Sequence, residues 1–343
     1  MKKEYIIPIF VPHLGCPNDC TFCNQKKISG QKKNVSSKDV KDIIEYYLNN
    51  FKEHDRKIEI AFFGGSFTGI APEIQEELLS AANDYIKQGK VQSIRISTRP
   101  DYINQEILDR LKRFNVQTIE LGVQSANDFI LNKCKRGHSF LDVKNASKLI
   151  RKNKFKLGHQ MMVGLPESTQ KDEIETAKKL IKLHPKMIRI YPVLVIKDTK
   201  LAEDYLNGEY KPNTLEQAVE TSAILLKMFN KKKIDVIRVG LQSTDEICTP
   251  ENENSQVVAG PYHPAFRQLV ESRICYDDFS KKIHKLNNRV KVVKVRVNSS
   301  LINNFVGHKR ENIRRIKELY DVDVVVEKDD SVKSYVVRKV VWG

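Results

Sequence analysis

Short apolar runs of strand character alternate along the chain with longer stretches whose apolar residues recur every three or four positions. Residues 5–11 (YIIPIFV) predict a first strand. Ser36-Ser37-Lys38-Asp39 has the form of a capping box, and Val40, Ile43, Ile44, Tyr47, Leu48 and Phe51 follow at helical spacing. Residues 58–63 (IEIAFF) predict a second strand, and Ile74, Leu78, Leu79, Tyr85 and Ile86 a helix after Pro72. The pair repeats at 93–97 (SIRIS) with Ile103, Ile107, Leu108 and Leu111, and at 118–121 (TIEL) with a helix near 139–152. It repeats again at 157–164 (LGHQMMVG), with a helix opened by a Thr169/Asp172 capping box. Residues 187–196 (MIRIYPVLVI) predict one long strand followed by a helix near 214–230, and residues 234–240 (IDVIRVG) one more strand. Such alternation implies right-handed βαβ units on a parallel sheet. Six or seven units suit a partial or full (β/α) barrel, an α/β fold whose chemistry sits in the loops after the strand ends.

The rhythm breaks at residue 241. Residues 241–289 read as a polar connecting loop and a helix after Pro264. Residues 290–343 have their own order: strand, short helix, Gly307-His308-Lys309-Arg310 (GHKR), helix, strand, strand. Three parts are expected: a barrel over 1–240, the connection over 241–289, and a small α+β domain over 290–343.

Apolar residues make up 40% of the 343, enough for a core and too many for global disorder. No run of 18 apolar residues is present, so no transmembrane helix is expected. The start, MKKEYIIPIFVP, has lysines before an apolar stretch, but Glu4, Pro8 and Pro12 interrupt it and no small-residue cleavage site follows. A strand is the better reading, and the cytoplasm the expected location. The net charge is +16, of which residues 281–343 supply +9 from 16 Lys/Arg against 7 Asp/Glu. A basic module of this kind suits a polyanion, with RNA the first candidate and a merely solvated lysine-rich surface the alternative.

Three of the six cysteines crowd into CPNDCTFC, as Cys16, Cys20 and Cys23. In a cytosolic chain, clustered thiols point to metal more often than to disulfides. The loop follows the first strand, at the mouth of the expected barrel. Two arrangements are open. A structural zinc has four protein ligands, and His13 is a candidate fourth. A four-iron four-sulfur cluster is held by three thiolates with one iron left open to a further ligand.

The Cys-x3-Cys-x2-Cys spacing, with Phe22 just before the last cysteine, resembles the signature of the radical S-adenosylmethionine (SAM) superfamily. That resemblance implies a 4Fe-4S cluster on Cys16, Cys20 and Cys23, with S-adenosyl-L-methionine as second cofactor. It implies that the cluster donates an electron, the sulfonium cleaves, and the 5′-deoxyadenosyl radical takes hydrogen from a substrate. No side-chain acid or base is required for that first step, so no catalytic side chain is assigned. A reducing partner of the flavodoxin or ferredoxin type follows. FFGGSFTG ends the second strand, and in the family the equivalent glycine-rich end, here Gly64, Gly65 and Ser66, meets the methionine amino group. Ser97, Arg99, Gln124 and Ser125 stand at the ends of the third and fourth strands, placed either to face the cofactor or to satisfy tight turns.

Within that superfamily, ELGVQS (120–125), KRGHS (135–139), HQMMVGLP (159–166), RIYPVLVIKDTKL (189–201) and VIRVGLQS (236–243) resemble the radical module of the Elongator catalytic subunit, which modifies tRNA wobble uridine. They keep its order over about 5–245. Those subunits carry an acetyltransferase lobe after the radical module, for which this chain has no room, so transfer of another group, or a different radical reaction on RNA, is expected. Strand–helix–GHKR–helix–strand over 291–327 resembles the core of a KH domain. There Gly307 fits the first glycine of the Gly-x-x-Gly loop and Arg310 replaces the second. His308, Lys309, Arg310, Arg314 and Arg315 are the implied RNA contacts, with Lys317 nearby.

The expected function is thus radical modification of a nucleotide in tRNA or rRNA. Radical chemistry on a small molecule such as a tetrapyrrole, with the C-terminal module as lid or dimer contact, is the alternative. A non-enzymatic RNA-binding protein is the third reading. Cys134 reads as a radical quencher, a transient methyl carrier or a plain buried thiol, and His263 and Arg267 as channel or capping residues. Cys248 and Cys275 have no visible partner in the sequence.

Overall fold

The computed structural model describes residues 3–11, 20–24, 35–51, 56–286 and 290–342. Its first half runs β1 (Lys3–Val11), α1 (Ser37–Asn50), β2 (Arg56–Gly64), α2 (Pro72–Lys87), β3 (Ser93–Thr98), α3 (Gln105–Arg113) and β4 (Val116–Gln124). There follow α4 (Asp128–Lys133), α5 (Phe140–Lys152), β5 (Lys156–Val163), α6 (Gln170–Ile181), β6 (Met187–Pro192), β7 (Val195–Ile196), α7 (Lys200–Leu206), α8 (Leu215–Lys231) and β8 (Asp235–Val239). The chain closes with β9 (Val257–Ala259), α9 (Phe266–His284), β10 (Val290–Val297), α10 (Ile302–Val306), α11 (Glu311–Tyr320), β11 (Asp323–Lys328) and β12 (Tyr335–Trp342).

Seven strands form one sheet in the order β1-β2-β3-β4-β5-β6-β8, every neighbouring pair parallel. β1 and β8 are its edges, so the barrel is a half-barrel. The capping boxes work as expected: Ser36 with Asp39 opens α1, and Thr169 with Asp172 opens α6. Each satisfies two backbone N–H groups that a helix start leaves over.

The two sheet faces differ because strand side chains alternate. Ile7, Ile9, Ile58, Ile60, Phe62, Ile94, Ile96, Ile119, Leu121, Ile188 and Ile190 face the helices and are fully or almost fully buried. Each contributes roughly 1.5–3 kcal/mol by leaving water. The inner face is polar. Glu59 of β2, Arg95 of β3, Glu120 of β4 and Arg189 of β6 form a ladder of ion pairs, 2.5 Å from Arg95 to Glu59, 2.6 Å to Glu120, and 2.5 Å from Arg189 to Glu120. The two guanidiniums hold the buried Glu120 carboxyl below its ordinary range. A buried charge is tolerable only when paired in this way.

The long strand expected at 187–196 is in fact two. The chain leaves the sheet at Pro192, and Val195–Ile196 pairs antiparallel with Val257–Ala259. Val193 N–H still donates to the Val163 carbonyl at 2.9 Å, one residue past Pro192, before the chain turns away. Two short helices, α4 and α7, also escaped the apolar pattern.

In the C-terminal part, β10 lies between β11, parallel, and β12, antiparallel. Helix α9 joins this unit to the half-barrel as one continuous element. Its Phe266 and Val270 belong to the large core, while Phe279 and Ile283 belong to the small one with Val293, Val295, Phe305 and Ile316.

Candidate active site at the strand ends

Of the predicted cysteine ligands, Cys20 and Cys23 are described; Cys16 and the candidate fourth ligand His13 lie outside the described residues. Cys20 is buried and Cys23 half-buried, and neither is in a disulfide. A turn holds the two together, Cys23 N–H donating to the Cys20 carbonyl at 3.0 Å. The loop is docked at two further points. Thr21 N–H donates to the Cys134 carbonyl at 3.1 Å, and Leu201 N–H to the Thr21 carbonyl at 2.8 Å. Phe22 is buried in a small apolar cluster with Cys20, Ile130, Cys134, Leu165, Val195 and Leu201. α4, α7 and β7, the elements that the apolar pattern missed or merged, are thus the wall against which the loop rests. Burial pushes the Cys134 thiol up to about 12, which suits a packing thiol.

The predicted strand-end residues gather along the same edge. Gly64 closes β2 with φ +105°, and a Cβ there would lie 2.5 Å from the Val11 carbonyl oxygen, so only glycine fits. Gly65 N–H donates to that same carbonyl at 3.2 Å. Ser66 is buried and spent on the turn: its hydroxyl accepts from Arg99 N–H at 2.9 Å and lies 3.1 Å from the Thr98 hydroxyl. Arg99 is buried with its guanidinium on Asp101, at 2.8 and 3.0 Å. Gln124 is buried in a left-handed backbone conformation, φ 68°, and its side-chain oxygen accepts from Gln160 at 3.4 Å. Ser125 accepts from Asn127 N–H at 3.2 Å. Ser97 is half-buried and shares the inner face with Arg95. Turn-making therefore occupies the polar atoms of Ser66, Arg99 and Ser125, while Gly64, Gly65 and Ser97 border the open inner face.

A residue to which the sequence reading gave no role completes the site. Arg136, in the turn after α4, is buried, and its Nη1 donates to Cys20 Sγ at 3.5 Å. Its Nη2 donates to the Gly122 carbonyl at 2.9 Å. Arg136 lies in KRGHS (135–139), but nothing in the sequence places it beside a cysteine 116 positions away. A guanidinium fixed beside this sulfur complements the negative charge of a cysteine-held iron–sulfur cluster. The donor chemistry therefore fits an anionic iron–sulfur group.

In the C-terminal unit, His308, Lys309, Arg310 and Arg314 are exposed, and Gly307 precedes two consecutive left-handed residues, Lys309 (φ 47°) and Arg310 (φ 62°). Arg315 is drawn away: it pairs with Glu216 of α8 at 3.0 Å and Glu311 at 2.9 Å. The His263 ring meets the His308 ring edge-on at 6.0 Å. Arg267 donates to the Val236 carbonyl at 2.9 Å, so it ties α9 to β8.

Comparison with known proteins agrees with this geometry. The Radical SAM superfamily model matches residues 10–180, and the Radical_SAM C-terminal domain model matches residues 185–275. The chain belongs to the radical SAM superfamily, whose members use a 4Fe-4S cluster and S-adenosylmethionine, and these are its cofactors. It is similar to a tRNA uridine(34) acetyltransferase of Methanocaldococcus infernus, 32% identical over 48% of this chain and 34% of the relative. It is also similar to Elongator complex protein 3 of Saccharomyces cerevisiae, 28% identical over 50% of this chain and 34% of the relative. The matched stretch thus spans about a third of these curated relatives. A solved structure of the archaeal Methanocaldococcus infernus Elp3 has the same fold, with a TM-score of 0.62 at 23% identity, covering 82% of this chain and 64% of that one. Among the described residues no helix is long and apolar enough to cross a membrane.

Proposed function

We propose that this radical SAM enzyme modifies a nucleotide in RNA, with tRNA the substrate class. The observation that carries the reading is the similarity of the barrel part to a relative whose name specifies tRNA uridine 34. The exposed His308, Lys309, Arg310 and Arg314 support it: they crowd one loop and helix start, where backbone phosphates are readily held. On this reading residues 290–343 act as a KH-like RNA clamp on Gly307 and its neighbours, and residues 1–240 as the chemical unit. The acetyl transfer in the relative's name stays with the relative.

Cys20 and Cys23, with Cys16, would hold the cluster, and Gly64 and Gly65 would admit S-adenosylmethionine against backbone. Bound there, the pair would supply one-electron reduction and the radical chemistry of hydrogen abstraction. The chain's own part is orientation and exclusion of water. The apolar wall around Phe22 closes one side, and the ion-pair ladder from Glu59 to Arg189 floors the half-barrel with every charge paired. The test is mass spectrometry of nucleosides from tRNA and rRNA of cells with and without the gene. One modified nucleoside should vanish and return on complementation. Unchanged nucleoside profiles in both RNA classes would overturn the proposal.

A further inference from the structure

Arg136 is a buried guanidinium with no carboxylate partner among the described residues. Its partners there are one sulfur and one carbonyl, and its Nε is buried without any. A buried positive charge in that state requires a nearby negative one. The backbone is shaped to put it there. Lys135 and Gly137 on either side are both left-handed, φ 50° and 76°, which turns the Arg136 side chain back under the strand end. Gly122 of β4 leaves room for it, since a Cβ at that position would lie 2.9 Å from Nη2. The same turn receives Thr21 through the Cys134 carbonyl, so the cysteine loop and the guanidinium are fixed to one another through α4.

We infer that Arg136 is the cationic partner of the Cys20 thiolate in the bound cluster, tying the cysteine loop to β4 and making the cluster easier to reduce. The inference rests on Cys20 being a cluster ligand. Reduction adds one electron to an already anionic cluster–thiolate assembly. A fixed positive charge and a hydrogen bond to sulfur stabilise the reduced form more than the oxidised one, which raises the potential. Arg136 is a positioning residue and takes no part in bond making.

The experiment is a redox titration, followed by electron paramagnetic resonance, of the full-length protein reconstituted anaerobically without S-adenosylmethionine. Wild type is compared with Arg136→Gln, Arg136→Lys and Gly122→Ala at matched iron and sulfide content. Arg136→Gln should lose at least tenfold in the reduced-to-oxidised ratio at fixed potential, about 59 mV for one electron. Gly122→Ala, which displaces the guanidinium without removing it, should shift the same way, and Arg136→Lys should recover most of the difference. Arg136→Gln titrating at the wild-type potential overturns the inference; where that variant holds no cluster, Gly122→Ala at the wild-type potential does so. Failure of the underlying ligand assignment reads differently: Cys20→Ala would then keep an intact cluster.

Discussion

At the scale of single residues, two buried groups set opposing pH dependences. His159, on the helix-facing side of β5, is fully buried with Nε2 2.9 Å from the Ser147 hydroxyl, and burial pushes its pKa down to about 3. The unfolded chain takes that proton near 6.5, so stability from this site is lost as pH falls below about 6.5. Glu173 is buried beneath the β5 loop, where its carboxylate accepts from Gly164 N–H at 2.6 Å, and burial raises it to about 7. The folded state keeps this proton up to about 7 while the unfolded state releases it near 4.5, so stability from this site falls as pH rises through that interval. Glu173→Gln should therefore gain stability relative to wild type from pH 5 to pH 7, by on the order of 1 kcal/mol per pH unit. Urea midpoints that stay parallel across that range would refute it. Gly64→Ala is a sharper lesion. Strain at φ +105° and the clash with Val11 should cost on the order of 1–3 kcal/mol and weaken S-adenosylmethionine binding at least tenfold by calorimetry. Wild-type affinity would remove Gly64 from the cofactor site.

At the scale of elements, helix α9 carries the strongest prediction, because it contributes to two cores. Phe279→Ala should remove about 3–5 kcal/mol from the small core. The half-barrel, whose share of α9 is Phe266 and Val270, should keep its own unfolding transition. Two-probe denaturation distinguishes this from a single shifted transition, which would mean that the units do not unfold separately. Most elements were legible because local chemistry sets them: Thr169 and Asp172 announce α6, and Val40 through Phe51 announce α1 by spacing. α4, α7 and the break after Pro192 were not, since a six- or seven-residue helix carries too few apolar positions to show a period. The site divides likewise. The cysteine loop and Gly64 announce themselves by spacing and residue type, whereas Arg136 meets Cys20 only through the fold. That Asp101 engages Arg99, and that Arg99 N–H donates to Ser66, likewise depends on how the turns close, which composition at a strand end does not reveal.

At the scale of the whole molecule, charge is distributed unevenly between free and paired groups. Lys309, Arg310 and Arg314 are exposed, whereas Arg315 and Lys317 already hold carboxylates. Arg310→Ala and Arg314→Ala should each lower tRNA affinity and reduce the slope of log affinity against log salt by about 1. Arg315→Ala should change that slope less, because its guanidinium is already held by Glu216 and Glu311 and neutralises carboxylates in place of a phosphate. Equal slopes for all three variants would count against this surface as the RNA contact. The central claim is that the cysteine loop presents a cluster to which S-adenosylmethionine binds directly. It is tested by electron paramagnetic resonance of the reduced, anaerobically reconstituted protein with and without S-adenosylmethionine. The account predicts about four iron and four sulfide per chain and a cluster signal that changes shape when S-adenosylmethionine is added. A protein that retains zinc in place of iron, or a cluster signal indifferent to S-adenosylmethionine, would contradict it.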